Sequence, residues 1–445
     1  MKILAYSLPS LPLAALYFGL YVLLGEFYSN EFGLSLSAIG LIFIVVRLFD
    51  AFSDPVMGYI SDNFSTRFGR RRPWVLLGGL IFIYSVWMLF VPDSQTNIGI
   101  FYFAFWFAIS TIGWTIAYSP YYALGAELSN DYIERSRITF FRELLALLGI
   151  VVASMLYSIG IDFETGSFVL GIESFEGLRQ IYTFSLFFFF LSMIFFLVPI
   201  EFEKEILDGE KSHVKLQEIF KVLKNQNLFQ RLLVSHFMNG LANGFPPALF
   251  VFFVSYILLE PAYTGPLLLL YFVGAIVGVP FWLFLSNKFD KHRVWCAAMI
   301  YACIIFSFVL LLGSGDLFGF ALICFFSGLA LSADLALPTS IQADVLDLEL
   351  LRSGRRPAGQ FFALWGLVSK SAVAISTGIA LILLDGIGFQ VNHENDGIVL
   401  ICLSLMYGGI PIILKLISVS LMWDFELSRK RCENIQDSLQ SIGRL

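Results

Sequence analysis

Long apolar runs recur from one end of the chain to the other, and each is close to the roughly 20 residues that a helix needs to cross a hydrocarbon core about 30 Å thick. Twelve such runs stand out, near residues 5–28, 38–61, 74–92, 99–125, 138–160 and 180–200, then 228–258, 264–286, 294–313, 317–345, 358–384 and 397–424. No other feature restricts the fold as much. Of the 445 residues 58% are hydrophobic and 14% charged, with a mean hydropathy of +0.79, which is too apolar to coat a water-soluble surface. The expected fold class is an all-α membrane protein with twelve transmembrane helices. The opening stretch lacks the basic segment and small-residue cleavage site of a removable signal, so it reads as a retained first span.

The charges between the spans alternate by side. Arg67, Arg70, Arg71 and Arg72, the Lys-rich stretch 204–224, Lys288, Lys291 and Arg293, Arg352, Arg355 and Arg356, and Arg429 to Arg431 all fall in connections on the side of the termini. The opposite connections are acidic, with Arg179 as their one basic residue. By the positive-inside rule this places both termini in the cytoplasm, as expected for a bacterial cytoplasmic (inner) membrane protein. The longest polar interval, 201–227, divides the chain into a six-helix half at 1–200 and another at 228–428, followed by a cytoplasmic tail at 429–445. Corresponding loops echo each other, GYISDNFSTRFGRRRPW after the second run and FLSNKFDKHRVW after the eighth. Two six-helix halves with a site between them are the build of the major facilitator fold, in which one half rocks against the other.

Charges inside the runs are costly, and they persist where they are compensated or used. Asp50 and Asp54 lie four residues apart on the second run, one helical turn, so both carboxylates leave one face. Either a bound cation or a salt bridge to Arg47 or Lys370 would balance them. Lys370, alone in the apolar eleventh run, should face an acid or a cavity, and is expected beside Asp50 or Asp54. Further polar or aromatic residues within the runs are Arg142, the turn-spaced pairs Tyr118 and Tyr122, and Tyr17 and Tyr21, the stripe His236, Asn239 and Asn243, and Asp334 on the tenth run. Such side chains can stack on a sugar ring and bond its hydroxyls. Hydroxyls in membrane helices also bond back to their own backbone, and aromatic residues also simply pack. The four histidines and five cysteines form no nucleophile–base pair, metal set or disulfide spacing, so neither an enzyme nor a resident cofactor is expected.

The segment RLFDAFSDPVMGYISDNFSTRFGRRRPW, Arg47 to Trp74, resembles the signature of the glycoside-pentoside-hexuronide:cation symporter family, the melibiose permease-like group of the major facilitator superfamily. GLS at Gly33 to Ser35, ERSR at Glu134 to Arg137, ADVLD at Ala343 to Asp347 and LWGLVSK at Leu364 to Lys370 extend the resemblance. It implies a symporter that couples Na⁺ or H⁺ to a small sugar-like solute by alternating access. It further implies a cation site of Asp50, Asp54, Ser53 and Thr115, with Lys370 and Arg47 balancing charge. Arg142, Tyr118, Tyr122, Tyr17, Asn239, Asn243, Asp334 and Trp365 are the expected solute contacts. Asp62, Arg67, Arg70, Arg71 and Arg72 match the superfamily's inner-loop motif and are expected to gate, while also meeting anionic lipid.

One departure bears on the solute. Galactoside carriers of the family grip sugar hydroxyls with two carboxylates, and aligned by the neighbouring motifs those positions here are Ala14 and Tyr118. With Arg142 kept and both acids absent, a less negative pocket and an anionic solute such as a hexuronide are expected. A carrier of lysolipid-like amphiphiles on the same fold is the alternative. The expected partners are a solute of the glycoside, pentose or hexuronide class, the coupling cation and membrane lipid, with no nucleic acid and a monomeric chain.

Overall fold

A computed structural model describes residues 2–63, 71–92, 98–128, 132–161, 168–170, 174–197, 226–353 and 358–441. Among the described residues the protein is all-helical apart from one short hairpin, in which Ile159–Ile161 pairs antiparallel with Phe168–Leu170. Ten helical segments among the described residues are long and apolar enough to cross a membrane, from Ile3–Phe32 to Gly397–Met422. Two more helices, Leu36–Asn63 and Tyr132–Ser158, have 28 and 27 residues. At about 1.5 Å per residue each exceeds a hydrocarbon core, but both carry charges in their middle. The expectation of twelve spans rests on counting these two, and the spans are numbered below on that basis.

The second span shows why the chain needs a membrane. Leu41, Val45 and Phe49 repeat at turn spacing and are exposed, while Arg47 and Asp50, on the other face, are buried. This is a soluble helix turned inside out, and its apolar stripe is stable only against hydrocarbon. The same inversion recurs at Phe281, Leu283 and Phe284 of the eighth span and at Ile413, Leu416 and Ile417 of the twelfth.

Lipid supplies no hydrophobic drive between helices, so close packing through small residues holds them together. A Cβ on Gly274 would sit 2.1 Å from the Phe325 carbonyl oxygen, and one on Gly328 2.0 Å from that of Tyr271. The eighth and tenth spans therefore touch backbone to backbone. The first six spans meet the last six chiefly where the second packs on the eleventh and the fifth on the eighth. In the first of these contacts a Cβ on Gly40 would lie 2.6 Å from the Gly378 carbonyl oxygen. Prolines 120, 246, 247, 280 and 338 stand inside helices, tolerated because neighbouring helices and local adjustments satisfy the released carbonyls.

Among the described residues three single π-helical turns, Gly19–Leu23, Val254–Leu258 and Leu405–Gly409, interrupt the first, seventh and twelfth spans. Turns of this kind often mark functional positions, and the first of them carries Tyr21 into the site described below. Beyond the spans, residues Arg429–Ser441 form a helix with Ile435 and Leu439 buried. Arg429 donates its backbone N–H to Asp290 Oδ1 at 2.7 Å, which ties this helix to the connection between the eighth and ninth spans. From sequence this segment is expected only as a cytoplasmic tail, and the structure adds a docked helix. Most of the linker, 201–225, lies outside the described residues, as do Arg67 and Arg70.

Candidate cation and solute site

The second span carries Asp50 and Asp54 to the contact with the eleventh span, where one ammonium joins them. Lys370 Nζ lies 2.7 Å from Asp50 Oδ2 and 2.5 Å from Asp54 Oδ2. The expectation named either acid as its partner, and the lysine bridges both. Thr115 donates its hydroxyl to the other Asp50 oxygen, Oδ1. Asp50 is buried, while the Asp54 side chain is 35% exposed and Lys370 31%. Lys370 balances one of the two carboxylates, and Arg47, in the wall of the same cavity, supplies a second positive charge. The Arg47 guanidinium lies 3.2 Å over the Tyr21 ring, a stacking that favours a desolvated arginine. Ser53 instead donates to the Asp50 backbone carbonyl at 2.9 Å, the local back-bond common for helical hydroxyls.

A small cavity opens beside this cluster, lined by Tyr17, Tyr21, Arg47, Asp50, Trp114 and Lys370 among others. From it a file of rings runs along the fourth span: Tyr17 on Trp114 at 4.3 Å, Trp114 on Tyr118 at 4.2 Å and Tyr118 on Tyr122 at 4.4 Å between centroids. Residues 114, 118 and 122 are a turn apart, so one helix face presents all three rings. The file ends beneath Arg142, whose guanidinium lies 3.5 Å from the Tyr122 centroid. The expected solute contacts of the first, fourth and fifth spans are thus contiguous with the carboxylate pair.

The expected contacts from the second six spans gather elsewhere. Asp334 accepts from Lys415 Nζ at 2.8 Å, Asn243 Nδ2 at 3.1 Å and Trp295 Nε1 at 2.9 Å. Lys415 also donates to Asn239 Oδ1 at 2.8 Å. His236 pairs with Ser369 Oγ at 2.7 Å and stacks on Trp365 at 3.9 Å. The seventh-span stripe therefore faces three different helices, the interhelical role polar residues commonly take in membranes. Asn243, Asp334 and Lys415 line a second, larger cavity whose wall is mainly apolar, with Phe250, Tyr271, Phe272 and Ile323, and which Val22 of the first span completes. Asn239 and Trp365 line neither of these cavities; Asn239 holds Lys415 and Trp365 stacks on His236.

Sequence reasoning missed Lys415 and Glu143. Lys415 stands alone in IPIILKLISVSLM just as Lys370 does in its own run, so the same argument applied to both would have found it. Glu143 was overlooked beside Arg142, with which it makes a 2.7 Å ion pair. That pair also bears on the expected anionic solute, because the positive charge of Arg142 is already matched. Of the expected gating residues, Arg71 and Arg72 are buried at the start of the third span. Arg67, Arg70 and the side chain of Asp62 lie outside the described residues.

Comparison with known proteins places this geometry in a family. The chain is 28% identical to the inner membrane symporter YicJ of Escherichia coli (strain K12) over 254 residues, 57% of this chain and 53% of that one. It thus aligns with about half the length of that relative. It is 24% identical over 427 residues to the uncharacterized symporter YnaJ of Bacillus subtilis, covering 94% and 90% of the two chains. It is 23% identical over 433 residues to the sodium-dependent lysophosphatidylcholine symporter 1 of Gallus gallus, covering 90% and 82%. Its fold is that of the xylose transporter XylE from E. coli in its inward open conformation, with a TM-score of 0.62 at 16% identity, covering 98% and 99%. Residues 5–429 match the family described as MFS/sugar transport protein, and the chain is therefore an integral membrane protein of the MFS/sugar transport family.

Proposed function

We propose that the protein is a cation-coupled symporter that moves a sugar or sugar-derived solute by alternating access, with Asp50 and Asp54 as the coupling site. The observation that carries this reading is the single ammonium of Lys370 shared by two carboxylates across the contact between the second and eleventh spans. A small cation that reaches the pair competes with Lys370 for the two carboxylates, and hard cations such as Na⁺ take carboxylate and hydroxyl oxygens. Asp50, Asp54 and the Thr115 hydroxyl supply that donor set, with Lys370 as the internal counter-ion when the cation is absent. Binding of Na⁺ or H⁺ would free the lysine and loosen a tie between the two groups of spans.

The aromatic file and Arg142 supply the solute surface, since a sugar offers an apolar ring face and a rim of hydroxyls. The family description and the symporter names of the relatives support the same reading. Repetition of the fold after six spans, termini in the cytoplasm and residence in a bacterial inner membrane belong to the proposal, on the strength of the charge asymmetry of the loops.

A second reading has one observation in its favour. The larger cavity is mainly apolar with an ion pair in its wall, which suits a charged headgroup carrying a chain, and the chicken relative is named for lysophosphatidylcholine. One experiment tests both readings: uptake of labelled methyl glycosides and of lysophosphatidylcholine into proteoliposomes, with and without a Na⁺ or pH gradient, for wild type and Asp54→Asn. Gradient-driven accumulation of a glycoside that Asp54→Asn abolishes supports the first reading. Accumulation of lysolipid alone selects the second, and full accumulation by Asp54→Asn removes the coupling role of Asp54.

A further inference from the structure

Glu143 stands beside Arg142 at the end of the ring file. Within the apolar run that begins at residue 138 it stands sixth, about 8 Å along the axis at 1.5 Å per residue. Its side chain is 50% exposed at that depth. A carboxylate facing hydrocarbon there would be strongly disfavoured, so the exposed half faces water between the spans. Three donors converge on its Oε1: Tyr122 Oη at 2.9 Å, Arg142 NH2 at 2.7 Å and Arg142 Nε at 3.2 Å. Tyr118 donates in turn to Tyr122 Oη at 2.7 Å. Among the described residues no hydrogen bond reaches Oε2. The carboxylate is therefore fixed in orientation by one oxygen, with the other presented at the end of the ring file.

We propose that Glu143, oriented by Arg142 and Tyr122, is a solute-binding residue whose open oxygen accepts hydroxyl hydrogens of a neutral carbohydrate lying on the Tyr118 and Tyr122 rings. This deepens the sugar reading given above and rests on it. The chemistry follows from the charge balance at the end of the file. A lone Arg142 would select a carboxylate on the solute, whereas the Arg142–Glu143 pair is neutral as a unit and offers an acceptor beside donors. Adjacent hydroxyls on a sugar are both donors and acceptors, and bonds to a charged acceptor are about twice as strong as neutral ones. A uronate would instead bring its own anion against Glu143.

The test uses the purified full-length chain and follows tryptophan fluorescence, for which Trp114 is the reporter in the file. Methyl β-D-glucopyranoside, methyl β-D-xylopyranoside and D-glucuronate are titrated in Na⁺ and, separately, at acidic pH. Wild type is expected to bind a neutral glycoside more tightly than glucuronate. Glu143→Gln is expected to weaken the neutral glycoside at least tenfold and to strengthen glucuronate, because Arg142 is released. That reversal separates solute contact from a structural role, which would weaken all three together. Tyr122→Phe removes one donor to the carboxylate and should weaken the glycoside about threefold, so it carries the test if Glu143→Gln does not fold. Neutral-glycoside affinity unchanged in both variants, a parallel loss for all probes, or a wild-type preference for glucuronate overturns the proposal and leaves the sugar reading standing. Failure of wild type to bind any of the three takes the sugar reading down as well.

Discussion

Replacing Lys370 with methionine keeps the volume of the side chain and removes the one cation that Asp50 and Asp54 share. The two oxygens that bind it, at 2.7 and 2.5 Å, are by the triangle inequality no more than about 5 Å apart, and two unit charges at that distance repel by about 3 kcal/mol at an effective dielectric of about 20. In bulk water the repulsion is under about 1 kcal/mol. Asp50 is buried and Asp54 a third exposed, so a value near 2 kcal/mol is appropriate, or roughly 30-fold in a binding constant. A cation entering the variant relieves this repulsion and no longer competes with an ammonium. Lys370→Met is therefore expected to bind Na⁺ about 10- to 100-fold more tightly than wild type while losing gradient-driven solute accumulation, because nothing replaces the ion when it leaves. The assay is Na⁺ titration by calorimetry at fixed pH and ionic strength, with indicator-dye measurement of bound protons for the case of H⁺ coupling. Unchanged or weaker binding of both cations would refute the idea that the lysine holds the place of the transported ion.

Three further outcomes follow from the geometry. Lys415→Ala leaves buried Asp334 without its ammonium and should destabilise the protein by about 3–5 kcal/mol, seen as a lower unfolding temperature in detergent; the double variant Lys415→Met with Asp334→Leu should recover most of that loss. Gly40→Ala places a methyl 2.6 Å from the Gly378 carbonyl, about 1 Å inside ordinary contact, and should push the second and eleventh spans apart there, which reactivity of a cysteine introduced at Gly33 toward an impermeant reagent in right-side-out vesicles would report as an increase. Cys432, in the helix after the last span, has its thiol pushed up to about 12 by burial and by the Asp344 carboxylate. Because the shift is upward, thiolate is scarce until pH approaches that value. With the other four cysteines replaced by alanine, maleimide labelling should stay slow at pH 8 to 9, where an ordinary thiol near 8.5 reacts, and Asp344→Asn should speed it.

Hydropathy along the chain was enough to put it in a membrane, because runs of apolar residues long enough to span hydrocarbon admit helices and little else. The order of residues also set where charge sits along each helix: Asp50 and Asp54 share a face by the 3.6-residue period alone, and a lysine in the middle of an apolar run has to find an acid. What those periods cannot give is which helix lies beside which. That Lys370 reaches both acids depends on the eleventh span packing against the second, a contact that Gly40 and Gly378 permit and that no local pattern encodes. The same holds for Lys415, which the tertiary structure alone joins to Asp334, Asn239 and the wall of a cavity, and for Asn239 and Trp365, whose polarity and ring suggested solute but whose neighbours are other helices. Glu143 shows the limit most plainly. Its letter stands next to Arg142 in the sequence, yet its use depends on Tyr122 arriving from another span to bind one oxygen and leave the other facing water. Local spacing fixes the direction of a side chain on its own helix; the partner that gives it a chemical role comes from packing between helices distant in the chain.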